Sequence, residues 1–483
     1  MSLAPPIVDT PAPEPAPEEQ HRPRRPSAAA LVLAAPAVLL TLTAIVRYVF
    51  GRAAIDLVVF DQGLWAASRG LKPMVSVIGE TLLEDHFGPG LFLFAGLYRI
   101  VASPLWLIAA QGVAAWAAVR ILVRRVEPSL GALPASLVGA ALLASPPVAY
   151  ALLFDFHSVT LAVPFALAAF FALEDGRPRA ALLFSLLASL FRVEVGAAVA
   201  VAFLVWPGPR RGRLRAAAGL CAYLVVAFHF EKALGHDSYW PIHYGHLGPS
   251  PGAALAHPLR IAGALLSVDS ILTFLPWLGT GAFLALRSPR RMIPAVLVAL
   301  PVLLSRWDGT HSVLFHYGFA PTLLLAPAWV PALRKRADRS RHVIAGCALL
   351  ALLLGPVLPA LANGEPLRTF AGRYWTPQSE IRCIARGIPA NAGVSARSAL
   401  SLLAHRERLY LWPYPFLGAP ADILPGEHLA HGDERLIGGV DYLLIPRKDA
   451  GLVPPGFVPD GESASSLRFR REATTVPSPA DCT

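Results

Sequence analysis

Residues 173–213 read LEDGRPRAALLFSLLASLFRVEVGAAVAVAFLVWPGPRRGR. Basic turns at both ends (Arg177 and Arg179; Arg210, Arg211 and Arg213) enclose two apolar runs, 178–191 and 194–207, with Arg192 and Glu194 between them. One continuous helix would set Arg192 and Glu194 at mid-bilayer, where an unpaired charge costs around 3 kcal/mol or more. A hairpin avoids that cost. It leaves the basic turns on one side of a membrane and the Arg192–Glu194 turn on the other.

The same alternation runs along the 483-residue chain, which is 55% hydrophobic and 15% charged with mean hydropathy +0.52. Soluble domains carry about 25% charged residues, and apolar stretches near 20 residues recur here, long enough to cross a bilayer. The net charge of +10 does not point to nucleic acid, because the excess sits in short loops beside apolar stretches. Six basic segments (22–25, 120–125, 177–179, 210–215, 287–291 and 334–341) hold 20 of the 42 Lys and Arg. The positive-inside rule puts them in the cytoplasm. The map that follows has 11 spans near 28–49, 104–124, 132–152, 158–173, 178–191, 194–207, 214–234, 262–286, 291–305, 314–333 and 342–361. Residues 88–101 read as a helix along the outer interface, the alternative being a short twelfth crossing.

The fold class expected is an all-α polytopic membrane bundle with a small C-terminal α/β domain on the extracytoplasmic side. Residues 1–27 are Pro-, Glu- and Arg-rich without apolar period and read as a disordered cytoplasmic tail. Residues 28–361 form the transmembrane domain, with a long first outer loop at 50–103. Residues 362–483 form the outer domain, with candidate strands at 392–396, 407–412 and 440–445, helical stretches at 377–387 and 398–405, and a disordered end of about 20 residues. Cys221 and Cys347 lie inside apolar spans and read as small core residues. Cys383 and Cys482 share the outer domain, a compartment in which a disulfide persists.

Residues capable of chemistry gather opposite the basic loops: Asp61, Glu84, Asp85, His86, Asp155, His157, Arg192, Glu194, His243, Tyr244, His246, Arg306, Asp308, His316 and Tyr317. Nine of the 14 histidines fall on this side. Each alone has an ordinary reading: Asp61 as the acid that opens a helix over 58–69, Arg192 and Glu194 as an ion pair, a lone His or Tyr as an interface anchor. The clustering is the signal. Asp155-x-His157 and His243-x-x-His246 have spacings that, with Asp61 or Asp85, suit a divalent metal. Glycosyl transfer needs a carboxylate base for the acceptor proton and positive charge for a phosphate leaving group.

Phe60-Asp61-Gln62-x-Leu64-Trp65, Asp85-His86-Phe87-x-Pro89 and Phe154-Asp155-Phe156-His157 resemble the motifs of an uncharacterised bacterial multi-pass membrane family, a domain of unknown function. Ile388-Pro389-Ala390 and Val440-Asp441-Tyr442-Leu443-Leu444 are similar to its C-terminal part, so the resemblance covers roughly residues 50–450. That family in turn resembles GT-C glycosyltransferases of the mannosyl- and aminoarabinosyl-transferase kind. The second resemblance implies an acid pair in the first outer loop and a polyprenyl-phosphate-linked sugar donor. Asp61 matches the first acid, Gln62 departs from the usual Glu, and Glu84 or Asp85 matches the later acid. Arg192 stands where relatives carry a Lys that meets lipid phosphate.

The expectation is therefore a GT-C-like membrane glycosyltransferase with a donor taken from the membrane lipid and an undetermined acceptor. Asp61 would be the base, with Asp85 or Glu84 in support. Arg192, Arg306, His243, His246 and His316 would hold phosphate, and the other outer residues would line the cavity. Two alternatives belong to other classes. A transporter or flippase of a lipid-linked intermediate predicts polar groups deep within spans, and few occur. A non-catalytic scaffold predicts outer acids and histidines that do not converge.

Overall fold

The computed structural model describes residues 27–49, 55–85, 87–233, 239–281, 283–312, 315–335, 378–397, 400–416 and 434–474. The tail 1–26, His86, the stretch 342–361 and Cys482 lie outside them. Cys383 is disulfide-bonded.

Helices cover the cores of ten of the eleven stretches read as spans. Ala28–Val49 is 22 residues and Leu105–Leu130 is 26, about 33 and 39 Å at 1.5 Å per residue against a hydrocarbon core of about 30 Å. Together with Arg213–Phe230 they are the described helices long and apolar enough to cross a membrane singly. Ala132–Ala144 and Pro146–Phe154 form a pair bent by 55°. The cause is Pro146, which holds the preceding Ser145 extended at φ −63°, ψ 142°. Ser158–Glu174, Pro178–Phe191 and Val193–Val205 are shorter apolar helices. The Pro178–Phe191/Val193–Val205 hairpin packs tightly: a Cβ on Gly196 would lie 1.9 Å from Ser189 Oγ. Small residues at such crossings supply the close contact that drives helix association in lipid.

Two expectations need correction. The stretch 262–286 is not one helix. It is Pro258–Leu265 followed by Val268–Gly279, bent by 57°, because Ser267 leaves the helix and its Oγ caps the next one by accepting from Ser270 N at 3.2 Å. The first-loop helix is Ile55–Ser68 rather than 58–69, so Asp56, not Asp61, sits in its first turn. Residues 88–101 contain a short 3-10 turn, Pro89–Phe92, and the eight-residue helix Leu93–Ile100, together too short to cross a 30 Å core.

The basic loops meet at one end of the bundle. Arg125 pairs with Asp175 at 2.7 Å, Arg291 with Glu174 at 2.9 Å, and Arg334 Nε and Nη2 donate to Arg125 O at 3.0 and 2.9 Å. Arg213 donates to Trp206 O at 2.6 Å and Leu173 O at 2.8 Å.

Beyond Ile55–Ser68, β1 (Met74–Val75) and β2 (Glu80–Thr81) pair antiparallel. In the C-terminal region, β3 (Val394–Ala396), β4 (Leu409–Leu411), β5 (Tyr442–Pro446), β6 (Phe457–Glu462) and β7 (Ser466–Arg471) make one sheet in the order β4-β3-β5-β7-β6. β3 runs parallel to β4 and β5, whereas β7 is antiparallel to β5 and β6. Pro459 is tolerated because β6 is an edge strand. β7 lies within the stretch read as a disordered end. Arg468 is the reason it is ordered: 2% exposed, it pairs with Asp460 at 2.5 Å and donates to Ile384 O and Arg386 O at 2.9 Å.

Candidate functional site

Ile55–Ser68 carries the site. Asp56 favours its N-terminus. Gly70 at φ +73° ends it, with Leu71 N donating back to Ala66 O at 3.1 Å. Asp56 and Asp61 are five residues apart, hence about 140° apart around the axis. The two carboxylates face different surroundings.

On the Asp56 face, His157 Nε2 lies 3.0 Å from Asp56 Oδ2. The His316 ring stacks on His157 with centroids 3.3 Å apart and an interplanar angle of 19°. Tyr317 follows at 4.0 Å from the His316 ring, Trp307 at 6.1 Å from Tyr317, and His243 at 5.7 Å from Trp307. His157 is held in place from behind: Gln111 Oε1 accepts from its backbone N–H at 3.0 Å, and Gln111 Nε2 donates to Asp155 O at 2.9 Å. Among the described residues, Asp56, His157 and His316 are the group whose ligand atoms gather at metal-holding distance.

On the other face Asp61 is fully buried. Its Oδ1 accepts from Tyr98 Oη at 2.8 Å and lies 3.0 Å from His405 Nε2 of the C-terminal domain. Its Oδ2 is buried without a hydrogen-bond partner among the described residues. Burial, reinforced by the Asp61 charge, pushes the Tyr98 hydroxyl well above the usual tyrosine range, so Tyr98 stays protonated and donates. Gln62 Nε2 donates to Arg406 O and to Ser76 Oγ, both at 2.8 Å, and Ser76 Oγ bridges to Leu409. The C-terminal sheet region is thus fastened beside Asp61 to the Ile55–Ser68 helix and to Ser76.

The remaining expected residues divide. Arg192 pairs with Glu194 at 3.2 Å. Asp155 Oδ2 accepts from Leu57 N at 3.0 Å, a structural contact that holds the first-loop helix. Glu84 Oε2 accepts from Thr81 N at 2.5 Å, and Asp85 is buried. His243 is buried with Nδ1 at 3.0 Å from Ser305 Oγ, and Arg306 N donates to His243 O at 3.0 Å. Tyr244 Oη donates to Pro301 O at 3.1 Å. His246 is exposed; its pKa is lowered by partial burial and then by the Arg306 charge. Asp308 opens the short helix Asp308–His311. Two metal pairings read from spacing are not formed. Asp155 turns to a backbone amide rather than joining His157, and His243 and His246 diverge, one inward and one outward.

Residues 46–423 match the family described as "Predicted membrane protein (DUF2079)". The chain belongs to this family. Two crystal structures of ArnT from Cupriavidus metallidurans share its fold. One, bound to undecaprenyl phosphate, gives a TM-score of 0.51 at 14% identity; the other, in the apo state, gives 0.52 at 12%. Each comparison covers 92% of this chain and 98% of ArnT. No curated protein matches the sequence. The GT-C resemblance read from the motifs is therefore matched at the level of fold.

In this DUF2079 protein the site includes groups that the sequence reading passed over. Asp56 carried a signal, an acid five residues before Asp61 on a helix. His405 and Tyr98 carried none, since both reach Asp61 from distant segments. Glu80 is a third. Burial first, then the charges of Asp85 and Glu84, raise its carboxyl to about 7. Its folded pKa exceeds its unfolded value, so its protonated form favours folding at low pH, and that contribution is lost as pH rises through about 7. Glu80→Gln, a mimic of the protonated acid, is expected to leave thermal stability nearly unchanged at pH 4 and to raise it at pH 8. The gain is about 1–2 kcal/mol after allowance for solvent screening. Melting curves at the two pH values check this.

Proposed function

We propose that this protein is a GT-C-type glycosyltransferase that takes a sugar from a polyprenyl-phosphate donor at the outer face of the cytoplasmic membrane. The observation that carries the reading is Asp61. It is a buried carboxylate on the first-loop helix of an ArnT-like fold, with one oxygen held by Tyr98 and His405 and the other without a partner among the described residues. That oxygen, Oδ2, is the atom that takes the acceptor proton, while Tyr98 and His405 hold the carboxylate in position. Asp61 itself is 1% exposed and His405 35%, so the acceptor approaches past the His405 ring. Arg192, at the outer end of the Pro178–Phe191 helix, meets the lipid phosphate and stabilises the leaving group. Arg306 and the histidines around Trp307 border the same opening, and Asp85 and Glu84 support the loop.

The sidedness belongs to the same proposal. The arginine-rich end faces the cytoplasm, as does the N-terminus; about 11 crossings place the C-terminal domain outside. Its support is that loops assigned to one side by charge meet one another through Arg125–Asp175, Arg291–Glu174 and Arg334, while Asp56, His157, His316 and Tyr317 meet elsewhere. The test is sugar transfer from a lipid-linked donor in sealed vesicles, with wild type and Asp61→Asn side by side.

A further inference from the structure

We propose that Asp56, His157 and His316 bind a divalent transition-metal ion of the zinc class. The residues come from three segments far apart in sequence: the first-loop helix, the turn before Ser158–Glu174, and the 3-10 turn His316–Gly318. One ligand atom from each lies within 4.8 Å of the others, and His157 Nε2 is already 3.0 Å from Asp56 Oδ2. Ligand atoms on a tetrahedral zinc ion lie about 3.4 Å apart, so binding draws the three together and turns the His316 ring out of its stack on His157.

His316 adds a second imidazole to the pair, its ring lying flat on His157 with centroids 3.3 Å apart. Two imidazole nitrogens with one carboxylate oxygen are the donor set of open zinc sites and of 2-His-1-carboxylate centres. Magnesium and calcium prefer oxygen alone. His157 is 5% exposed, so the group is shielded from bulk water. Gln111 fixes the backbone of His157 and so holds its ring beside Asp56. Three protein ligands leave a fourth position open on a tetrahedral ion, which water or a phosphate oxygen fills, and Tyr317 lies against His316 beside the group.

The test reads metal alone and needs no sugar transfer, so its failure is distinguishable from failure of the transferase reading. Full-length protein in detergent, stripped with a chelator, is titrated with Co²⁺ and followed by its ligand-field absorption, then displaced with Zn²⁺. One saturable ion per chain is expected. His316→Ala is expected to weaken it by more than about 100-fold, since loss of a ligand exceeds the effect of losing an outer partner. His257→Ala, an outer histidine away from the cluster, keeps full affinity. His316→Cys keeps the ion and adds a thiolate-to-cobalt charge-transfer band, which a structural role for His316 does not produce. Absence of a saturable Co²⁺ site in the wild type, full affinity in His316→Ala, or a His316→Cys spectrum without the new band overturns the proposal.

Discussion

Asp61→Asn is expected to lower sugar transfer by about 10²–10⁴-fold, the usual contribution of a positioned general base. The substitution keeps size and shape, and its amide oxygen still accepts from Tyr98, so the first-loop helix and its contact with the C-terminal domain survive. What disappears is the basicity of Oδ2, the carboxylate oxygen with no hydrogen-bond partner among the described residues. The loss is therefore expected in the rate of transfer at saturating donor, with the donor KM changed little. Initial rates over a range of donor concentrations separate the two. Undiminished transfer by the variant removes Asp61 as the base.

The largest effect on stability is expected at Arg468. Its guanidinium is buried, paired with Asp460, donating to two backbone carbonyls and lying 5.6 Å from the centre of the Tyr442 ring. Arg468→Met leaves Asp460 buried with Arg470, at 3.4 Å, as its remaining ion-pair partner among the described residues. Breaking a buried pair from one side costs about 3–5 kcal/mol, and Arg470 places this case near the lower end. Limited proteolysis of the C-terminal region and the thermal transition both report it. Arg468→Met combined with Asp460→Leu is expected to recover much of the loss, because no uncompensated charge remains. Since His405 belongs to the same domain and meets Asp61, the single variant also weakens that contact.

Much of the bundle was legible because the cost of burying charge is steep. Arg192 and Glu194 broke an apolar run into a hairpin, and the helices Pro178–Phe191 and Val193–Val205 end and begin there. The strands Val394–Ala396 and Leu409–Leu411 fell inside the stretches expected for them, and Tyr442–Pro446 overlaps 440–445 and runs one residue beyond it. β6 and β7 were missed: Pro459 and Gly461 weaken the strand signal, and Arg468 is a buried charge that looks like a solvated one in sequence. The bends at Ser145-Pro146 and Ser267 were missed because apolar content continues through both, while the breaks are set by a proline and a cap.

The candidate site was legible as a set of residues rather than as an arrangement. Spacing paired Asp155 with His157, whereas the chain turns so that Asp56, 101 positions earlier, meets His157 instead. Gln62 looked like a defect in an acid pair. Its amide donates to Arg406 O and Ser76 Oγ, and a glutamate at 62 would offer only acceptors to that carbonyl. The departure from Glu has a local cause: the C-terminal domain is docked there.

Binding of undecaprenyl phosphate to the purified protein, in nanodiscs of zwitterionic lipid, tests the central claim most directly because it needs neither sugar nor acceptor. Saturable binding is expected, and Arg192→Ala should weaken it by about 1.5–3 kcal/mol, roughly ten- to 150-fold, the range for a hydrogen bond to a charged group. Equal affinity for uncharged undecaprenol, or no saturable binding, contradicts a polyprenyl-phosphate donor.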